Sequence, residues 1–386
     1  MTHVILLCAS ILFLFLAIHP FLTYGLSLRL MRRFGLGCPA QPVPGAGRPV
    51  RSFAICVAAY NEERVIGPKL DNLLALRRAT PWPVDILVYV DAARDRTAEI
   101  VAAYGDQVRA VVASERRGKT AGMNRLVAMT DADVVVFTDA NVMLHPDALL
   151  RLEPHFADPA VGCVCGTLDY VNGADSATAA VGAAYWRHEE GLKRLESETG
   201  GVIGADGSIF AIRRSLHRPV PDDIIDDFAV SLSILCAGHR VVRAADVRAA
   251  ETAATESADE FRRKVRIACQ AFNVHRLMRP KLRRLHWTLR YKYLCHKLLR
   301  WLCLVDAAAA GLACTLDLGL WLGWQTALLP PAAGTLALAV VLAARRPREA
   351  LLAMLATTLG LVRSLRGERF QTWDPPLSRD FRPTGS

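Results

Sequence analysis

The sequence has no positive charge ahead of its first apolar run. Met1-Thr2-His3 leads into Val4 to His19, the run resumes through Phe21, Leu22, Leu26 and Leu28, and only then come Arg29, Arg32 and Arg33. A cleaved leader carries its charge first and a small-residue cleavage site after the apolar stretch. The order found here predicts instead an uncleaved membrane anchor, residues 1–33, with its arginines on the cytosolic side. The ten cysteines lack pattern, Cys163 and Cys165 being the only close pair. That excludes a disulfide framework and zinc-ligand spacing and suits a reducing compartment. Internal repeats are absent as well, which excludes solenoids and propellers.

What the chain does have is apolar sequence at both ends. Apolar residues make up 52% of the 386 residues and the mean hydropathy is +0.22, so part of the protein is expected in lipid. The second apolar block, residues 301–362, can be cut at Pro330-Pro331 and at Arg345-Arg346-Pro347-Arg348. Two spans are predicted, about 301–325 and 328–344. The stretch Ala350 to Val362 is only about 20 Å long as a helix, and crossing there would place Arg363, Arg366 and Arg369 outside, against the positive-inside bias. It is expected to be interfacial or re-entrant, with residues 363–386 as a tail on the cytosolic side.

The net charge of +10 gathers at these borders. Lys281, Arg283, Arg284, Arg290, Lys292, Lys297 and Arg300 alternate with Trp287, Tyr291 and Tyr293. Residues 280–300 therefore read as a basic amphipathic interfacial segment, whose partner is anionic membrane lipid and not nucleic acid. Together these features predict a multi-pass inner-membrane protein with a cytosolic domain.

That domain, about residues 46–275, reads as α/β, because β-branched runs alternate with helical patterns: Phe53 to Ala59, Ile86 to Val90, Val108 to Ala113 and Val134 to Thr138. Such runs suit strands buried on both faces. The Pro- and Gly-rich stretch from Gly37 to Pro49 reads as a linker. In open α/β sheets ligands bind beyond the carboxyl ends of strands, and polar residues follow these strands directly. Tyr60-Asn61-Glu62-Glu63 follows the first, Asp91 and Asp95 the second, and Asp139-Ala-Asn141 the fourth, with Gly118-Lys119 and Asn124 between them. Asp95 equally fits a cap for a helix starting near Thr97.

In order and at these spacings the motifs carry more than any of them alone. Ala-Tyr60-Asn61-Glu62-Glu63, Val90-Asp91, Gly118-Lys119-Thr-Ala-Gly-Met-Asn124, Phe-Thr-Asp139-Ala-Asn141, Gly204-Ala-Asp206-Gly207 with Arg213-Arg214, Ile225-Asp226-Asp227-Phe228 and His296-Lys297-Leu-Leu-Arg300-Trp301 cover most of residues 53–301, and Trp373 marks the tail. This set resembles the family 2 inverting glycosyltransferases of the bacterial polysaccharide-synthase type, whose nucleotide-sugar-binding, Rossmann-like domain is called A-type. The resemblance implies that fold, with transmembrane helices at both ends, and a hexosyl- or N-acetylhexosaminyl-transferase.

The resemblance also implies roles. Tyr60, Glu62, Asp91, Lys119, Asn124 and Asp139 would hold a UDP-sugar donor, with Lys119 as a point charge for the diphosphate or the base. Asp139 and Asn141 match an Asp-x-Asp motif for a divalent metal, Mg²⁺ or Mn²⁺. The amide at Asn141 departs from that motif and brings an oxygen ligand without charge. Asp227 matches the catalytic base, which takes the acceptor proton. Asp226 stands beside it where a Glu is common, and Asp222-Asp223 add like charge expected to raise the pKa of a carboxylate in this loop. Asp206, Asp226 and Arg266 would lie on the acceptor side, where Arg266 could still clamp the diphosphate. Arg263 and Ile267 replace the Gln and Trp of a Gln-x-x-Arg-Trp motif, which removes an aromatic platform for an acceptor sugar and favours transfer of one sugar per encounter. The acceptor is expected to be a lipid-linked or cell-surface glycan. The competing readings are a processive synthase and a non-catalytic nucleotide-sugar-binding membrane subunit.

Overall fold

A computed structural model describes residues 1–46, 49–171, 177–252 and 256–372. Trp373 and the rest of the tail lie outside the described residues. The strands are β1 (Phe53–Ala59), β2 (Val84–Val90), β3 (Arg109–Val112), β4 (Val134–Asp139), β5 (Met143–Leu144), β6 (Val161–Tyr170), β7 (Ile209–Arg213) and β8 (Arg240–Glu251). They form one sheet in the order β3-β2-β1-β4-β7-β6-β8-β5. β3, β2, β1 and β4 run parallel, whereas β7 is antiparallel to both β4 and β6, and β8 runs parallel to β6.

The helices of the domain are α3 (Ile66–Ala79), α4 (Thr97–Ala102), α5 (Lys119–Val127), α6 (Ala148–Leu152), α7 (Ala177–Glu198), α8 (Asp226–Cys236) and α9 (Ser257–Leu282). Those at its ends are α1 (Thr2–Leu22), α2 (Tyr24–Arg33), α10 (Trp287–Tyr293), α11 (Leu299–Leu322), α12 (Leu329–Ala343) and α13 (Arg345–Leu365).

The period of two along β1 decides the layers. Phe53, Ile55, Val57 and Ala59 face a core completed by Leu70 and Leu73 of α3, while Ala54, Cys56 and Ala58 face one built from Met123 and Leu126 of α5 and Phe228 of α8. The expectation of strands buried on both faces holds for β1 and fails for β3. That strand closes the edge of the sheet, and Val112 on it is 59% exposed. The strand order reverses at β1, whose neighbours are β2 and β4, and the crevice at their carboxyl ends is where such sheets bind ligands. Antiparallel β7 pairs Ile209 with Thr138, so the Gly204–Ser208 turn arrives at the carboxyl end of β4.

The Gly37 to Pro49 stretch differs from a free linker in its described part. Gln41 donates to the Gly238 carbonyl at 2.9 Å and Val43 to the Pro159 carbonyl at 2.7 Å, so the backbone groups that a solvated linker would leave to water are used here. Helix α9 runs through residue 275 without a break, which puts the expected domain boundary inside a helix.

Among the described residues three helices are long and apolar enough to cross a membrane, Thr2–Leu22, Trp287–Leu322 and Thr326–Ala343. The break between the last two falls at Gly323, with φ +96°, and not at Pro330-Pro331, which sits in the first turn of α12. Proline is at home there because its missing N–H has no helical partner to lose. α1 and α11 pair antiparallel: His3 meets Asp317 at 2.8 Å, Ser10 donates to the Ala310 carbonyl at 3.2 Å, and Phe21 stacks under Arg300. α13 lies along α9 of the domain. Ser364 donates to Asn273 at 2.6 Å, and a Cβ built on Gly360 would meet Ala268 Cβ at 2.6 Å, so only glycine lets the two helices approach this closely.

Candidate active site

A cleft of about 2170 Å³ opens over the carboxyl ends of β1 and β4 and continues to the N-terminal end of α11. At one end of it Lys119 begins α5 and donates to Asp139 Oδ1 at 2.6 Å. The lysine loses hydration by burial, yet Asp139, Asp226 and Asp227 hold it firmly charged, above its usual value. Asn141 turns its amide nitrogen to Glu251 at 3.0 Å, and Glu251 ends β8. Glu62 lines the same wall, its backbone N–H donating to Thr97 Oγ1 at 2.8 Å.

At the other side of the cleft the loop after Pro221 delivers Asp226 and Asp227 as the first turn of α8. Burial, then the neighbouring charge of Asp226, pushes Asp227 up to about 7, with Lys119 pulling the other way. Like charge is thus the second cause, not the first. Asp222 and Asp223 are instead paired outward, with Arg117 at 3.1 Å and with Arg369. Asp226 is buried, and its Oδ2 has no hydrogen-bond partner among the described residues.

Gly207 sits where the two sides meet. A Cβ there would lie 2.9 Å from Lys119 Nζ, 3.1 Å from Asp227 Oδ2 and 3.6 Å from Asp139 Oδ2. Gly204, at φ +91°, packs so tightly on Phe228 that a Cβ would stand 2.5 Å from its ring. Asp206 lines the cleft but is ion-paired with Lys193 of α7 at 2.7 Å, a lysine that also reaches Glu190 at 3.2 Å. Arg266 lines the cleft from α9 and donates to Gln270 at 3.4 Å.

Three residues expected on the donor are placed behind the wall of the cleft. Asp91 is fully buried and accepts from the backbone N–H of Arg117 at 2.7 Å and of Gly118 at 3.0 Å, so it holds the loop that presents Lys119. Asn124 spends its amide on Val220, donating to the carbonyl at 2.7 Å and accepting from the N–H at 3.2 Å. Tyr60 is covered by the Arg116 guanidinium, 3.5 Å from its ring centroid. Asp95 takes the capping alternative, accepting from Thr97 N–H at 3.0 Å and from Glu63 N–H at 3.0 Å.

Lys69 was missed from sequence. It is fully buried beneath the Asp139 loop, donating to Thr138 Oγ1 at 3.1 Å and to the Val142 carbonyl, and burial lowers its pKa to about 7 against the pull of Asp139. Thr138 passes the chain on to the Ser208 carbonyl at 2.8 Å. The available signal was a lysine on the apolar face of α3, among Ile66, Leu70 and Leu73. Glu251 and Lys193 lie on β8 and α7, elements that the strand runs did not reveal.

A protein-family model described as glycosyltransferase like family 2 matches residues 49–270. The mannosyltransferase PcManGT from Pyrobaculum calidifontis, solved with GDP-Man and Mn²⁺, is 21% identical, with 94% of this chain and 99% of that one covered at a TM-score of 0.66. TarS from S. aureus, residues 1–349, aligns at 15% identity over 82% and 92% of the two chains, TM-score 0.46. Glucosyl-3-phosphoglycerate synthase from Mycobacterium tuberculosis, with Mn²⁺, UDP-glucose and phosphoglyceric acid, aligns at 17% identity over 58% and 79%, TM-score 0.40. No curated protein matches the sequence. With more than half of the chain inside the family match, and with the mixed sheet and acidic cleft described above, this protein belongs to the family 2 glycosyltransferases and is an enzyme that uses nucleotide-sugar donors.

Proposed function

We propose that this chain transfers one sugar per encounter, with inversion, from a UDP-sugar to a lipid-linked or cell-surface glycan acceptor at the cytosolic face of the inner membrane. The observation that carries the reading is the meeting of Lys119, Asp139 and Asp227 around Gly207, where a side chain of any size would fill the space between donor and acceptor. Asp227 accepts the proton of the attacking acceptor hydroxyl. A carboxylate raised to about 7 is half ionised at working pH and basic enough to take that proton as the new bond forms. Lys119 lies on the diphosphate side and balances charge on the departing nucleotide. Arg266 steadies that diphosphate from α9.

The donor set suits a divalent cation. Asp139 contributes a carboxylate and Asn141 an amide oxygen, its nitrogen being taken by Glu251. One or two such protein oxygens together with substrate phosphates are a usual Mg²⁺ set. When bound, the metal would supply Lewis-acid neutralisation of the leaving diphosphate. Among the described residues no group of three or more His, Cys, Asp or Glu forms a cage without substrate, so cation and nucleotide are expected to bind together.

The solved mannosyltransferase binds a guanosine donor, so the test uses both bases. Purified enzyme in detergent is incubated with Mn²⁺, a panel of UDP- and GDP-sugars and a membrane extract, and nucleotide release is followed. Release confined to GDP-sugars would replace uridine by guanosine. No release from any donor would leave the non-catalytic subunit, and long polymer would indicate a processive synthase.

A further inference from the structure

The cleft does not end at Asp227. Its lining continues past Phe228 to Lys297, Arg300 and Phe21, where α11 meets the end of α1. Arg300 stacks on the Phe21 ring, 5.7 Å from its centroid, and so stands at the level where the first apolar helix leaves the bilayer. There it donates through Nη1 to Glu189 at 2.6 Å and to Tyr185 OH at 3.3 Å, while its buried Nε and Nη2 have no hydrogen-bond partner among the described residues. The arginine side chain is nine-tenths buried.

One helical turn earlier, Lys297 reaches over the ring of Phe228, the residue after Asp227, 5.5 Å from its centroid. Among the described residues no carboxylate lies within ion-pair distance of its ammonium. The acidic groups nearby are already taken. His296 lies between Glu196, 2.6 Å from Nδ1, and Glu189 at Nε2. Glu189 is thus met by His296 and Arg300, Glu196 by His296 and Tyr24, and neither pairs with Lys297. Lys193 is matched by Asp206 and Glu190.

An ammonium without an ion-pair partner and a guanidinium edge with open N–H groups, in a cleft wall at the membrane surface, are a donor set without its acceptor. Leaving buried charged donors unmet is costly, and the planar guanidinium edge with an adjacent ammonium matches the oxygens of a phosphate. We propose that Lys297 and Arg300 bind a phosphate group carried by the lipid acceptor, fixing its reacting hydroxyl next to Asp227. The proposal rests on the glycosyltransferase reading above and specifies its acceptor as a phosphate-bearing lipid.

The full chain in neutral maltoside micelles is titrated with dodecyl phosphate, followed by ³¹P line broadening, and in parallel with inorganic phosphate. Dodecyl phosphate is expected to bind the wild type at least tenfold more tightly than inorganic phosphate does. Its affinity should fall about tenfold in Lys297→Gln, the size of one charge-assisted hydrogen bond, and stay within threefold in Lys297→Arg. Arg300→Lys, which keeps a charge beside Glu189 but loses the fork, should lose affinity too. Circular dichroism melting checks that each variant is folded. Equal binding of dodecyl phosphate by wild type and Lys297→Gln overturns the site, and equal binding of both phosphates overturns the lipid as its source. Lys297-dependent binding of dodecyl phosphate without nucleotide release from any sugar donor would instead remove the transferase reading while the phosphate site stands.

Discussion

At Asp227 burial and the charge of Asp226 oppose ionisation, and Lys119 favours it. The rate at low acceptor should therefore fall about tenfold per pH unit below about 7 and level off above it, as a pH–rate profile would record. Asp226→Asn removes like charge and should move that limb to lower pH with most of the activity kept. Asp227→Asn should cost about 10² to 10⁴ in rate with UDP affinity nearly intact. The reverse ranking in a transfer assay would shift the base by one residue. Stability should show the same group with the opposite sign. The folded value lies above the ordinary carboxylate value of about 3.9, so folding favours the protonated form, and the penalty grows from about pH 4 to about pH 7. Asp227→Asn is expected to melt higher than wild type at pH 8 and equally at pH 4. On the donor side, Glu62→Ala and Asp139→Ala should each weaken UDP binding in the presence of Mn²⁺, read by calorimetry, because both side chains line that end of the cleft.

Among the elements, the turns at the strand ends set the geometry, and two of them can be probed without touching a charged group in the cleft. Gly207 does not need a positive φ, so Gly207→Ala should fold normally and melt within about 2 °C of wild type. Its methyl nevertheless crowds Lys119 and Asp227 from about 3 Å, and displacement of that order should lower turnover about tenfold to a hundredfold. Lys69 ties Thr138 to the Val142 carbonyl, spanning both ends of the Asp139-Ala-Asn141 turn. Lys69→Met should loosen that turn and leave a buried carbonyl unmet, costing about 1–3 kcal/mol of stability. It should also weaken nucleotide binding in the presence of Mn²⁺ more than binding without metal. Equal losses under both conditions in calorimetry would limit Lys69 to a structural part.

For the whole molecule, the positive-inside bias applied to the arginines after α1 and around α13, together with the docking of α13 on α9, leads us to propose that the domain and the exposed Arg366 share one side of a membrane. In intact cells a cysteine at Arg366 should resist an impermeant maleimide and react after the inner membrane is opened. Labelling before opening would overturn the topology. The antiparallel α1–α11 pair, fixed from His3–Asp317 to Phe21–Arg300, joins the first and the second apolar blocks into one unit.

Local sequence determined the parts whose signal is local. The strands β1, β2 and β4 show as β-branched runs, the apolar ends as spans, and Lys119, Asp139, Asn141 and Asp227 stand out because a motif needs no partner to be read. β6 and β7 left no such mark, and neither did α7. Their neighbours in the sheet or at the membrane lie far away in sequence, and only packing makes Cys163, Phe210 or Glu196 an interior residue. Tertiary structure also sorted the polar residues that the strand ends offered. Asp91, Asn124 and Tyr60 face backbone or a covering guanidinium because the loops they hold must be fixed before Lys119 can reach Asp139. Lys69 and Lys297 acquire meaning from burial and from the charges around them, quantities that depend on which distant segments fold against a residue, and spacing along the chain does not encode them.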